Sequence, residues 1–294
     1  MPELPDIEVY AAALRRKVSG HVLARVQLAS PFVLRTAVPP IEEAVGQRVR
    51  AASRLGKRLV LSLETDDHLV VHLMRAGRLR WSDLPKKTAM RGTQVAFEFD
   101  NGVLSLTEAG TRRRASLHFL RGSAALAAMD PGGLEVLEVE ASAFVARLRS
   151  ENHTLKRALT DPALFSGIGG AYSDEILHRA RLSPMALSQS LSDDEANRLF
   201  DAAQQALREW TATLLREADG GFPREVTAFR EDMAVHGRYG KPCPVCGAPV
   251  QRIVYAETET NYCARCQTEG RVLADRSLSR LLKASFPRDL DEIG

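Results

Sequence analysis

Apolar residues recur at helical spacing from the start of the chain, at Ile7, Ala11, Leu14 and Val18. They follow Pro5 and Asp6, which suit a helix's first turn. The period then changes to two. Val22, Ala24, Val26 and Leu28 alternate, as do Leu59, Leu61 and Leu63, then Leu69, Val71 and Leu73. Val95, Phe97 and Phe99 meet Leu104 and Leu106 across Asp100-Asn101-Gly102, a hairpin-turn signal, and Leu117 and Phe119 add a strand. Many short strands with one apolar face between His21 and Ser123 predict an antiparallel sandwich or barrel. Met129-Asp-Pro-Gly-Gly133 breaks the pattern and marks a domain boundary. Beyond it the period is helical: short helices over Ala143–Leu148, Leu155–Leu159 and Asp174–Ala180. A long helix then carries Leu199, Ala203, Ala206, Trp210 and Leu214, capped by Ser192 with Glu195 and ended by Gly220-Gly-Phe-Pro223. Leu278, Leu281, Leu282 and Phe286 share a helical face in the tail.

A length of 294 residues allows two domains and a sizeable core, and no apolar run is long enough to span a bilayer. Arg15, Arg16 and Lys17 come too late for a secretory signal, and no apolar stretch follows them. A net charge of +3 permits an anionic partner without demanding one. Arginines grouped at Arg112–Arg114 and between Arg75 and Arg80 weigh more than that sum.

Two stretches carry chemistry. Cys243-Pro-Val-Cys246 and Cys263-Ala-Arg-Cys266 are separated by 16 residues, and no cysteine lies elsewhere. Two knuckles joined by a hairpin give a four-thiolate tetrahedral site with no open position, so the spacing predicts one structural zinc in a reducing compartment. At the other end, removal of Met1 leaves Pro2 with a secondary amine beside the carboxylate of Glu3. A free α-amine has a pKa of about 8, and a helix's positive end disfavours its charged form. Such an amine next to an acid suits Schiff-base chemistry on a sugar carbon, although the same residues also make an ordinary helix start. Gly167-Ile-Gly-Gly170 is a turn that brings backbone N–H groups close to a phosphate, or equally lets two helices pack.

In this order the pieces resemble the formamidopyrimidine-DNA glycosylase/endonuclease VIII family along nearly the whole chain. The carrying residues are Met1-Pro-Glu-Leu-Pro-Asp-Ile-Glu8, Lys57 in Arg-Leu-Gly-Lys-Arg58, and Gly167-Ile-Gly-Gly-Ala-Tyr-Ser-Asp-Glu175. His236-Gly-Arg-Tyr-Gly-Lys-Pro-Cys243 and the four-cysteine finger complete the set. The resemblance implies an α+β protein: an N-terminal two-layer β-sandwich with flanking helices (1–130), a helix-two-turn-helix domain (131–240), a zinc-finger β-hairpin (241–270) and a helical tail (271–294). It implies damaged DNA as partner, a flipped-out nucleotide, a monomer, a cytoplasmic, nucleoid-associated location, and no diffusible cofactor besides zinc. Pro2 would attack C1′, Glu3 would move protons, and Lys57 would hold the phosphate beside the lesion. Met74, Arg75, Arg112, Arg113, Lys156, Gly170, Tyr172 and Arg238 are the implied DNA contacts, and Cys243, Cys246, Cys263 and Cys266 the zinc ligands. Glu8 is either structural or close to the catalytic pocket.

The chain departs from the family's pattern at several places. Gly170 stands where the family has a phosphate-gripping Asn, and Thr258, between Glu257 and Glu259, stands where the finger usually carries Arg. His72-Leu-Met-Arg75 replaces a wedge motif ending in Met, the Thr107–Arg114 loop is long, and Asp6 replaces Glu. These changes leave a second reading open, a catalytically weak paralogue that binds damaged or abasic DNA.

Overall fold

The computed structural model describes residues 1–83, 92–110, 112–223, 226, 230–255, 258–273 and 289–290, so the apolar tail face at 278–286 and Glu257 lie outside the described residues. The chain forms two compact units: Met1–Pro131 with Trp210–Ala228, and Gly132–Glu209 with Phe229–Gly294.

In the first unit, α1 (Leu4–Val18) starts where the Glu3 backbone N–H donates to Asp6 Oδ2 at 2.9 Å, tying down one of the helix's unpaired donors. Arg15, Arg16 and Lys17 occupy its last turn, where the helix dipole favours cations. Eight strands follow: β1 (Leu23–Leu28), β2 (Val49–Leu55), β3 (Arg58–Leu63), β4 (Asp67–His72), β5 (Gly77–Ser82), β6 (Thr93–Phe99), β7 (Gly102–Glu108) and β8 (Ser116–Arg121). They form two antiparallel four-stranded sheets, ordered β1-β6-β7-β5 and β2-β3-β4-β8. Leu59, Leu61, Leu69, Val71, Leu117 and Phe119 of one sheet, Val95, Phe97, Leu104 and Leu106 of the other, and Ile7, Tyr10 and Leu14 of α1 share one buried core. Two sheets closed over a common core make the expected sandwich. Tyr10 locks α1 onto β5, its hydroxyl accepting the Leu79 N–H at 3.3 Å.

Two details depart from the apolar alternation. A bulge between Leu23 and Arg25 shifts the register of β1, so Leu23 is buried and Ala24 exposed. β2 and β5 are edge strands that need few apolar residues, which hid them in the sequence. β5 begins at Gly77, where a Cβ would strike the Leu73 carbonyl, so only glycine closes this turn.

The second unit holds α3 (Ala141–Arg149), α4 (Leu155–Thr160), α5 (Gly170–Ala180) and the first part of the 26-residue α6 (Asp193–Ala218), reached after the short α2 (Ser123–Ala127) of the first unit. α6 is capped reciprocally, Ser192 N–H to Glu195 at 2.9 Å and Glu195 N–H to Ser192 Oγ at 3.2 Å. Phe144 packs on Phe165 and Phe200, centroids 4.6 and 5.4 Å apart. α5 starts four residues earlier than apolar periodicity indicates, because its first turn is glycine, serine and a buried tyrosine. The hairpin of β9 (Val250–Tyr255) and β10 (Thr258–Cys263) leads into α7 (Ala264–Thr268). Among the described residues no helix is long and apolar enough to cross a membrane.

Candidate active site and metal centre

The helical start places Pro2 and Glu3 at the edge of the sandwich core: Pro2 is buried, and Glu3 is 3% exposed. Burial holds the amine of Met1, the residue before Pro2, below its ordinary value. Glu3 and Asp6 act against that shift, and the guanidinium groups of Arg78 and Arg75 reinforce it. Lys57 sits in the β2–β3 turn after Gly56, whose φ of 57° suits glycine. Burial also pushes the Lys57 ammonium down, with the Glu3 charge opposing. Amine, carboxylate and lysine therefore share one half-desolvated environment at the head of α1. Glu8 takes the structural of its two readings. Its Oε1 receives Arg54 Nε at 2.6 Å, and Arg15 lies 3.7 Å from the other oxygen, pinning α1 to β2.

A cavity of about 570 Å³ opens beside Asp6, lined also by Val9, Leu214, Glu217, Phe222 and Val226. Met74 adopts a left-handed φ of 54° and Arg75 is exposed, with Arg78 donating to the carbonyls of Arg75 and Gly77 at 3.1 and 2.7 Å. Arg112 and Arg113 are exposed on their loop, whose base is held by buried Glu108 accepting the N–H groups of Arg114 and Ala115 at 2.9 and 3.0 Å. Sequence reasoning passed over His72. Strand register sets it opposite Arg58, and burial, then Arg58, Lys57 and His118, push its imidazole down to about 4. It is a neutral ring beside Lys57, and nothing local in the sequence indicates that pairing.

In the second unit Gly169 caps α5 and Gly170 is exposed at its first turn. Lys156 Nζ donates to the Gly170 carbonyl at 2.6 Å and to Asp174 Oδ1 at 2.5 Å. Asp174, fully buried, also lies 2.8 Å from His236 Nδ1. The structure thus brings Lys156 and Gly170 together and adds Asp174 and His236, which composition did not single out. Tyr172 is different: its side chain is fully buried on α5. Arg238 donates to the carbonyls of Glu231 and Pro242 at 2.9 and 3.3 Å. Thr258 is exposed at the start of β10, while Arg252 stacks over Tyr239 at 4.2 Å and meets Glu259 at 3.3 Å.

The four cysteines converge as their spacing predicts. Their sulfurs lie within 4.8 Å of one another, with Cys243–Cys266 at 3.9 Å and Cys246–Cys263 at 3.4 Å. Zinc–sulfur bonds of about 2.3 Å in a tetrahedron set sulfurs roughly 3.8 Å apart. Burial pushes Cys263 up to about 11 and raises Cys266 too, so four thiolates at one point need a cation among them. His178 of α5 adds a fifth contact, its Nε2 lying 3.3 Å from Cys243 Sγ.

Three family profiles match in sequence order. The formamidopyrimidine-DNA glycosylase N-terminal domain matches residues 1–117, its H2TH domain residues 131–214, and the zinc finger found in FPG and IleRS residues 240–268, which settles one zinc on the four cysteines. A formamidopyrimidine-DNA glycosylase of Desulforamulus reducens is 34% identical over 91% of this chain and 99% of its own. That of Thermus thermophilus is 35% identical over 92% and 100%. The Thermus thermophilus crystal structure matches with a TM-score of 0.73 at 32% identity, covering 90% of this chain and 98% of that one. The Lactococcus lactis protein in complex with FAPY-dG-containing DNA matches with a TM-score of 0.80 at 23% identity over 90% and 100%, a likeness of fold. Three modules in one order, with this identity along nearly all of the sequence, show that the chain belongs to the formamidopyrimidine-DNA glycosylase family.

Proposed function

We infer that this protein is a bifunctional DNA glycosylase and abasic-site lyase of base excision repair, acting as a monomer on nucleoid DNA in the cytoplasm. One observation carries the reading. Pro2 is buried directly beside the buried carboxylate of Glu3 at the head of α1, and Lys57, held below its ordinary pKa by burial, feels the same Glu3 charge. That is the setting an amine nucleophile and its proton donor need. After loss of Met1, the Pro2 nitrogen lone pair attacks C1′. The bond from C1′ to the base breaks, and the base leaves with the electron pair and takes up a proton. Glu3 protonates the ring oxygen as the sugar opens, which gives an iminium between C1′ and Pro2. β-Elimination expels the 3′ phosphate and δ-elimination the 5′ phosphate. Lys57 steadies the phosphate beside the lesion, Met74 and Arg75 fill the space the nucleotide vacates, and Arg112 or Arg113 meets the orphaned base. The cavity beside Asp6 gives the base somewhere to sit.

Borohydride added to the protein on an abasic duplex tests this. A covalent adduct at Pro2 supports the lyase, and tight binding without an adduct identifies a damage-binding paralogue instead.

The α5 start is the second phosphate grip in this reading, working through backbone N–H groups with Lys156 beside it. A Cβ at Gly170 meets nothing within 4 Å, so Gly170→Asn fits without strain. The added amide should tighten abasic-duplex binding by about five- to thirtyfold, the weight of a hydrogen bond of roughly 1 to 2 kcal/mol to a charged oxygen. An unchanged Kd by fluorescence anisotropy would remove α5 from the phosphate path.

A further inference from the structure

α5 carries Asp174, Glu175 and His178 on one face, since residues three and four apart are helix neighbours. All three fasten the segment that enters the finger. Asp174 lies at His236, and Glu175 accepts the backbone N–H groups of Ala234, Val235 and His236 at 2.8, 2.9 and 3.0 Å. His178 reaches furthest along, to Cys243, the first ligand. The ring is 5% exposed and the Cys243 side 2% exposed, so no bulk solvent serves this sulfur.

We propose that His178 is a positioning residue of the zinc centre: its Nε2–H donates to the Cys243 thiolate and fixes that ligand in place from α5. A zinc-bound thiolate has lone pairs and no proton, so across 3.3 Å only the imidazole can donate. Two other sulfurs of the set take backbone donors, Cys246 from Ala248 and Cys263 from Cys266. The His178 contact to Cys243 comes from another element of the fold, so a single substitution can remove it without touching the finger. A donor of this kind spreads the thiolate's charge and orients its sulfur, and loss of such outer partners costs about ten- to a hundredfold in metal affinity. The same bond ties the finger to the helix whose first turn carries Gly170, the residue that Lys156 of α4 bonds.

The test uses the full-length zinc protein and three readouts. Zinc transfer to a chromogenic chelator should run about tenfold or more faster in His178→Phe than in the parent. His178→Gln, whose amide nitrogen stands near the Nε2 position, should restore most of the slow rate. In the cobalt-substituted protein, His178→Phe should move the sulfur-to-cobalt charge-transfer band to longer wavelength, because an undonated thiolate gives up electrons more easily. Third, the cadmium-113 form of the unsubstituted chain should show proton–cadmium coupling at the His178 Nε2–H, a readout that holds even if His178→Phe does not fold. Equal release rates in parent and His178→Phe, equal rates in the Phe and Gln variants, an unmoved cobalt band, or no coupling at that proton would each overturn the role.

Discussion

Glu3→Gln should lower the rate of base release by about a hundred- to ten-thousandfold, the range of a single general acid, while leaving abasic-duplex affinity unchanged. Glutamine keeps the size of this 3%-exposed side chain, so the helix start and the core beneath it persist. What it removes is the transferable proton and the negative charge. The second loss has its own signature. At the Met1 terminus the Glu3 charge raises the ammonium's pKa; next to the Pro2 nitrogen the same charge acts in the same direction, so without it the free amine should persist to lower pH. On DNA that already carries an abasic site, where no base need leave, borohydride trapping should therefore survive in the variant, with its acid limb displaced to lower pH. Single-turnover release from a lesion-bearing duplex and trapping from pH 5 to 9 read the two effects separately. Full base release in Glu3→Gln would end the assignment of Glu3 as the proton donor. A trapping limb moved to higher pH would show that the carboxylate does not act on the amine by its charge.

Much of this site was legible because its chemistry is local in the chain. Pro2, Glu3 and Asp6 lie within five residues at one helix start, and the finger's two knuckles are each four residues long. Backbone rules alone place them. What the sequence hid depends on partners distant along the chain. His72 matters through strand register with Arg58 and proximity to Lys57, and Asp174 through Lys156 and His236, 18 and 62 residues away. Edge strands β2 and β5 escaped for a different reason, since a strand with one neighbour and few core-facing positions leaves a weak period. Tyr172 shows the limit of motif reasoning in the other direction. The motif fixes its position on α5 and says nothing of the face, and the side chain turns inward. Gly170 and Thr258 stand at the two places where the family resemblance expects phosphate-gripping side chains, and the helix start that carries the first is intact, with open space where a Cβ would stand.

Cys263→Ser should be the most damaging change in the second unit. Cys263 is fully buried where β10 passes into α7, its N–H bonded to Gln267 Oε1 at 2.8 Å, and Gln267 in turn donates to the Leu182 carbonyl at 2.9 Å. A serine hydroxyl stays protonated near neutral pH and is a poor partner for zinc, so the ion keeps three thiolates and an open position. Among the described residues the finger's buried cluster is small, Val235, Cys243, Ala248, Val250 and Cys263, and two of those five are ligands. Structural zinc contributes about 10–16 kcal/mol to finger peptides, far more than so small an apolar cluster supplies. Zinc content should drop well below one per chain, and protease should cut within residues 243–266 at a rate that barely responds to added zinc. DNA affinity should fall about tenfold or more, because the α5 straps at Glu175 and His178 loosen with the finger. Zinc loss with unchanged DNA affinity would separate the two, making the finger a staple of the fold whose Glu259 and exposed Thr258 never meet the duplex.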